Sequence, residues 1–381
     1  MTIKPSKKII VLGMITRHPV AGMIWLTVQY LLGFQRLGYD VYYVEPQGSS
    51  AESAAWLERV MRQFGLEHRW AYDIIHDEPR CYGMSKISLT ELYREAAWIF
   101  NLHGSTKPTP ELYATGRLVY IGTDPVEIEI NLWDGEDWAT KYLEPHCAFF
   151  TWGENLGRPG CRVPVPRDFH FKPTHQPAIL DMWDSEGGPS SDAMTTIGNW
   201  AQPYRTVEFQ GETYHWSKHY EFLKFVDLPR RTAQPFELAL SSYKPEDRRM
   251  LEANGWRITE ASRLGDNAYA YRDYILGSRG EFTVAKDQYV RMKTGWLSDR
   301  SVCYLAAGRP VINQDSGFAC VFPTGEGLFA FSTMEDILTA VDKINSDYAR
   351  HARAARELAR TYLSYEVVLG HMLAELGETR G

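Results

Sequence analysis

Apolar residues fall along this chain in two rhythms. Short, nearly unbroken runs stand at 8–14 (KIIVLGM), 40–44 (DVYYV), 98–102 (WIFNL), 118–121 (LVYI), 147–152 (CAFFTW), 195–200 (TTIGNW), 236–240 (FELAL), 256–259 (WRIT) and 282–285 (FTVA). Runs of this length, rich in β-branched and aromatic residues, predict strands of a parallel sheet covered on both faces. Between them the apolar positions recur at helical spacing. Trp25, Val28, Leu31, Leu32 and Leu37 share one face of a helix predicted over 24–37, which Gly38 ends. The same reading places helices at 51–64, with Gly65 beyond it, at 90–97, with Thr90 as its cap, and at 219–226, 245–254 and 268–277. Two more helical runs close the chain, 334–348 and 350–376.

Strand and helix alternate in two blocks. A stretch rich in Pro and Gly separates them, 157–192, ending in GGPSSD. The pattern predicts an α/β chain of two doubly wound domains: 1–180, a linker at 181–192, and 193–364, with 365–381 free to return onto the first domain. In such sheets ligands gather at the carboxyl ends of the strands. That rule puts His18, Glu45, His103, Asp124 and Glu154 along one rim. No GxGxxG follows the first strand, so its turn is not expected to hold a dinucleotide.

Composition narrows the class. Hydrophobic residues make up 44% of the 381 and charged residues 23%, which is globular and leaves ample core. The net charge of −7, with no basic tract, argues against a nucleic-acid partner. Five cysteines, an odd number without CxxC spacing, are expected as reduced thiols of a cytoplasmic protein. Lys4, Lys7 and Lys8 precede an apolar run too short for a signal peptide, and no run reaches the roughly 20 apolar residues of a membrane span.

Positive charge concentrates at 286–300. Within 291–317, RMKTGWLSDRSVCYLAAGRPVINQDSG, Gly295 opens a loop and Ser298 and Asp299 can cap a short helix. Cys303, Leu305, Ala306 and Ala307 make that helix small and apolar, Gly308 ends it, and a strand begins at Pro310. A helix N-terminus with exposed N–H groups, flanked by Lys286, Arg291 and Arg300, suits a phosphate. Ser298 and Ser301 would add neutral donors, and Trp296 a face for a nucleobase. Gln314 and Asp315, in the Asp315-Ser316-Gly317 loop, suit paired sugar hydroxyls.

The order Ala306-Ala307-Gly308-Arg309-Pro310-Val311, then Asp315-Ser316-Gly317, then Gly325-Glu326-Gly327-Leu328, then a closing helical pair resembles the C-terminal half of GT-B nucleotide-sugar glycosyltransferases. It looks closest to their group-1 and spore-maturation-like branch, over roughly the last hundred residues. The resemblance implies two Rossmann-like domains facing across a cleft, with a nucleoside-diphosphate sugar as substrate on the second and a small-molecule or glycan acceptor on the first. It implies no cofactor. No DxD triplet or His cluster is present to ligate a metal, in keeping with the metal-independent chemistry usual for that fold. Two glutamates common in the retaining enzymes are absent: Cys303 stands where one holds the donor ribose, and Gly295 where the other lies.

The donor set expected on these grounds is Lys286, Arg291, Trp296, Ser298, Asp299, Arg300, Ser301, Gln314, Asp315, Ser316 and Gly317. For the acceptor proton, His18 is the expected base and Asp124 its orienting partner, with His103 in reserve. A nucleotide-sugar epimerase of the same fold, or a binding protein without turnover, are the rival readings. Sugar, base, acceptor, stereochemistry and oligomeric state stay open.

Overall fold

The computed structural model describes residues 7–75, 79–184 and 187–378. Part of the expected linker (185–186) and the end of the expected returning segment (379–381) lie outside the described residues.

The first half builds one eight-stranded sheet. Its strands are β1 (Lys8–Leu12), β2 (Asp40–Pro46), β3 (Trp70–Ile74), β4 (Arg80–Tyr82), β5 (Trp98–Leu102), β6 (Leu118–Gly122), β7 (Ala148–Thr151) and β8 (Phe171–Pro173). They lie in the order β4-β3-β2-β1-β5-β6-β7-β8, all parallel except β4. Ile9 to Leu12 of β1 have no exposed surface, as the unbroken KIIVL run requires of a central strand. The second half builds a six-stranded parallel sheet from β9 (Met194–Asn199), β12 (Phe236–Ser241), β13 (Arg257–Glu260), β14 (Gly280–Thr283), β15 (Val311–Gln314) and β16 (Leu328–Phe331), in the order β13-β12-β9-β14-β15-β16. Between β9 and β12 a hairpin intrudes, β10 (Val207–Phe209) and β11 (Glu212–Tyr214).

Strand order reverses beside β1 in the first sheet and beside β9 in the second, so each half has a switch point where a crevice opens. The crevice loops are 13–18 and 103–109 in the first half. In the second they are 200–218 and the residues after β14.

Several elements differ from the sequence expectation for local reasons. The helix expected from Thr90 begins four residues earlier, at Lys86–Glu95. Ser85 is its cap, accepting from Ser88 N at 3.0 Å, while Thr90 sits inside it and bonds back to Lys86 O. The Pro/Gly-rich stretch is not all linker, because Phe171–Pro173 adds β8 to the first sheet. The helical run 350–376 is divided: Tyr348–Leu358 passes through a wide turn to Ser364, and a last helix follows, Tyr365–Glu375. The break is a pairing event, since Ala178 N reaches Leu363 O at 2.7 Å and Tyr365 N reaches Ala178 O at 3.0 Å. The last helix then lies on the first half, with Glu375 ion-paired to Lys172 and Leu369 beside Gly33 of the helix Ala21–Arg36.

One apolar core runs through both halves. Trp25, Phe34 and Phe100 from the first belong to the same cluster as Tyr289, Leu305 and Phe318 from the second. The far face of the second sheet has its own core, around Phe236, Trp256, Phe282 and Phe331.

Candidate functional site

The floor of the site is the rim of the first sheet. The loop after β1 is tied down by Glu45, at the end of β2. Its buried carboxylate accepts from Thr16 N at 2.9 Å, from the Thr16 hydroxyl and from Tyr43 OH, and Tyr43 OH in turn accepts from Ile15 N. Glu45 is therefore an anchor. A Cβ at Gly13 would lie 2.6 Å from the Tyr43 ring, so only glycine allows this closure.

His103 follows β5 in a left-handed conformation, φ +63°, which is uncommon outside glycine, though less so for His than for most residues. Its Nδ1 lies 2.8 Å from Thr123 Oγ1. Its Nε2 is buried without a partner. Burial pushes the imidazole down to about 4, so it is neutral at ordinary pH. A pocket opens above it, walled by Tyr120, Ile128, Trp138 and Tyr142, with Asp124, Glu127 and Arg205 at its edge.

Asp124 is where the halves meet. Its carboxylate accepts from Lys286 Nζ at 3.1 Å and from Tyr289 OH, and lies 3.6 Å from an Arg205 nitrogen. Burial works to raise the Asp124 carboxyl, but the charges of Lys286 and Arg205 outweigh it and hold the group below its usual value. Burial likewise drives Lys286 down, to about 8, against the pull of Asp124. Arg205 also binds Glu127 at 2.7 Å. The Lys286 ammonium and the Arg205 guanidinium both stand over the Trp216 ring.

Lys218 completes the group. Its ammonium lies 5.8 Å from the Trp296 ring centre and has no ion pair or hydrogen bond among the described residues. Burial and the neighbouring charges of Arg300 and Lys286 push it well below its ordinary value, against Glu281 and Asp299. A half-buried cation beside two others, with no anion in contact, is a place for a ligand anion.

Of the residues expected from sequence, Lys286 and Asp124 come together directly, and Asp299 stands nearby, its carboxyl raised by burial. The expected His18–Asp124 pair is not formed. His18 is exposed and acts on His103 through its charge, as Asp124 does. Arg300 turns inward: its guanidinium bonds Glu281 at 2.5 Å, Ile197 O at 2.6 Å and Thr283 Oγ1 at 2.8 Å, so a buried carboxylate holds the charge meant for phosphate. Arg291 lies against the hairpin, bound to Glu212, Thr213 O and Asp287. Trp296 bridges the halves, its Nε1 donating to Thr123 O at 3.0 Å and its buried ring against Tyr289.

Ser298 caps the helix Asp299–Ala306, and Ser301 is buried with its hydroxyl on Asn313. Gln314 is used at both ends of its amide, by Glu221 and by Ala285 N. Asp315 closes a turn on Gly317 N at 2.8 Å and pairs with Lys293, and Ser316 donates to Trp296 O. Gly317, φ +97°, lies against Asn155.

Arg205, Trp216 and Lys218 were missed because 200–218 carries no long periodic run. The available signal was Val207-Glu208-Phe209 and Glu212-Thr213-Tyr214, alternating around Gln210-Gly211. Both turn residues have positive φ, as a two-residue hairpin turn demands.

The sequence matches no protein-family model and no curated protein. Similarity appears in three dimensions. An alpha-glucosyltransferase solved with UDP and a 13-mer DNA superposes with a TM-score of 0.61 at 10% identity, covering 98% of this chain and all of the other. A glycosyltransferase from Rickettsia africae gives 0.55 at 10% identity, over 98% of both chains. The Anabaena protein HepE, solved with UDP and glucose, gives 0.54 at 10% identity, over 97% and 99%. Two parallel α/β sheets facing each other across adjoining switch points, shared with these structures over nearly the whole length, are the GT-B fold.

Proposed function

We propose that this chain is a glycosyltransferase that moves a sugar from a nucleoside diphosphate to a hydroxyl of a small-molecule or glycan acceptor. One observation carries the reading: Arg205 of the second half lines the edge of an aromatic pocket on the first, Lys286 joins it on Asp124, and the unpaired Lys218 lies beside Trp296. Two solved structures of the same fold were determined with UDP bound, one together with a 13-mer DNA and one together with glucose.

In the reaction the bond from the sugar's anomeric carbon to the diphosphate breaks, and its electron pair stays on the phosphate oxygen. Lys286, Arg205 and Lys218 stabilise that charge from a partly buried crevice, where fixed cations act more strongly than in water. The reading therefore asks for no metal ion and no cofactor. The acceptor oxygen bonds to the anomeric carbon and gives up its proton to His18. His103, held neutral by burial, positions the acceptor hydroxyl through its unpartnered Nε2. Trp138 and Tyr142 offer aromatic faces to the acceptor's ring. No described helix is long and apolar enough to cross a membrane, and all five cysteines are free, which fits the cytoplasm.

The test is a melting panel of UDP, GDP, ADP, CDP and dTDP, each with and without Mg²⁺. One diphosphate should raise the melting temperature without metal, because a ligand of the folded state stabilises it by mass action. Lys218→Met should abolish the rise. No stabilisation by any of the five at millimolar concentration would sink the reading.

A further inference from the structure

Four basic and four acidic side chains stand around the crevice. Lys218, Lys286, Arg205 and Arg300 face Asp124, Glu127, Asp299 and Glu281. A diphosphate added to that set would leave an excess of negative charge in a partly buried place, which is costly unless a carboxylate withdraws.

The four carboxylates are not equally able to do so. Glu281 is fully buried and held by Arg300. Glu127 is committed to Arg205 alone, at 2.7 Å, and belongs to the helix Glu127–Trp133. Asp299 makes no ion pair to give up among the described residues. Asp124 differs from all three. It collects two donors from the other half, Lys286 just past β14 and Tyr289 in the next helix, and a second cation, Arg205 in the loop after β9, 3.6 Å away. Two donors and two positive charges turned on one carboxylate are what a phosphate would also attract. The side chain also has somewhere to go: it is 31% exposed, on the side that lines the pocket with His103 and Tyr142.

We infer that Asp124 is a stand-in for the donor's phosphate, holding Lys286, Tyr289 and Arg205 in place while the crevice is empty and ceding them when a nucleoside diphosphate binds. The inference rests on the proposed function and adds a direction to it. Asp124 keeps the cations ordered and charged, at the expense of affinity. Released, its carboxylate swings toward the acceptor pocket beside His103, so donor binding readies the acceptor side. Product diphosphate, in turn, is expelled by the returning carboxylate.

The closing experiment measures Kd for the nucleoside diphosphate that stabilises the wild-type chain best, by calorimetry at pH 6.5 and again at pH 5.5, so that loss of charge on Lys286 in a variant without the Asp124 carboxylate is read as a difference between the two. Asp124→Asn keeps the shape and removes the competing charge, and should bind about tenfold more tightly while transferring sugar more slowly. A carboxylate that merely orients Lys286 for the ligand would give the opposite sign, weaker binding. Asp124→Ser removes the carboxylate with a smaller side chain. It should move Kd the same way, and serves if Asp124→Asn does not fold. Unchanged or weaker binding in the folded variants overturns the stand-in while leaving the proposed function intact. A wild-type chain that binds none of the five diphosphates removes both.

Discussion

At the scale of single residues, Lys286 sets a pH limit on the site. Burial lowers its ammonium to about 8, with Asp124 resisting. The folded chain therefore binds fewer protons at this position than the unfolded chain between about 8 and the ordinary 10.5, so this group makes folding more favourable as pH rises through that window. Binding of a phosphate has the opposite sign, because it needs the charged form. Diphosphate affinity should be level up to about pH 7.5 and fall about tenfold per unit above 8. Lys286→Arg, whose charge does not titrate in this range, should flatten the decline. A slope that survives in that variant assigns the titration to another group. Lys286 was legible in sequence as one of several cations near a helix N-terminus. That Arg291 and Arg300 would be ion-paired to Glu212 and Glu281 was not, because those pairings depend on how the strands are brought together.

At the scale of the element, the helix Asp299–Ala306 shows how one motif can keep its shape and change its use. Its cap at Ser298, small apolar face and terminating glycine were all readable, and all are formed. Which way position 303 faces was not readable from spacing. Cys303 is buried against the helix Ala21–Arg36 of the first half, 3.9 Å from Gln29 Nε2, and burial raises its thiol well above the ordinary range. A ribose-holding carboxylate has no room there. Cys303→Glu should cost about 3–5 kcal/mol in denaturant unfolding, the penalty of an uncompensated buried acid, against about 1 kcal/mol for Cys303→Ala. A Cys303→Glu chain that is stable and binds diphosphate more tightly would show the position open to the crevice after all. The hairpin between β9 and β12 teaches the converse. Val207, Phe209, Tyr214 and Trp216 are buried in the core shared by both halves, so their burial depends on residues far away in sequence and local pattern gave only the turn.

At the scale of the whole molecule, the parallel strands and their two blocks were legible, because a strand covered on both faces must be apolar throughout. The closeness of the halves was not, since it depends on glycines that read as ordinary loop residues. Gly295 and Gly317 lie under Glu154 and Asn155 at the end of β7: a Cβ at Gly295 would stand 2.8 Å from Glu154 Cβ, and one at Gly317 2.5 Å from Asn155 Nδ2. Asn155 Nδ2 then donates to Gly317 O at 2.9 Å and Lys293 O at 3.2 Å, and Asn155 N to Thr294 O at 2.9 Å. The latch thus needs an absent side chain on one partner and a present one on the other. Gly317→Ala meets both a φ of +97° and that clash, and should lose about 2–4 kcal/mol. Asn155→Ala leaves buried carbonyls unpaired and should lose about 2 kcal/mol. Their sum overstates the double variant, because removing the amide clears the space the alanine methyl needs. The double variant should therefore lie at least 1 kcal/mol above the additive value in a double-mutant cycle. Additive losses would mean that the two residues act separately and that the continuous core alone joins the halves. A positive coupling would instead place the connection in this latch, at the carboxyl ends of both sheets and so beside the crevice itself.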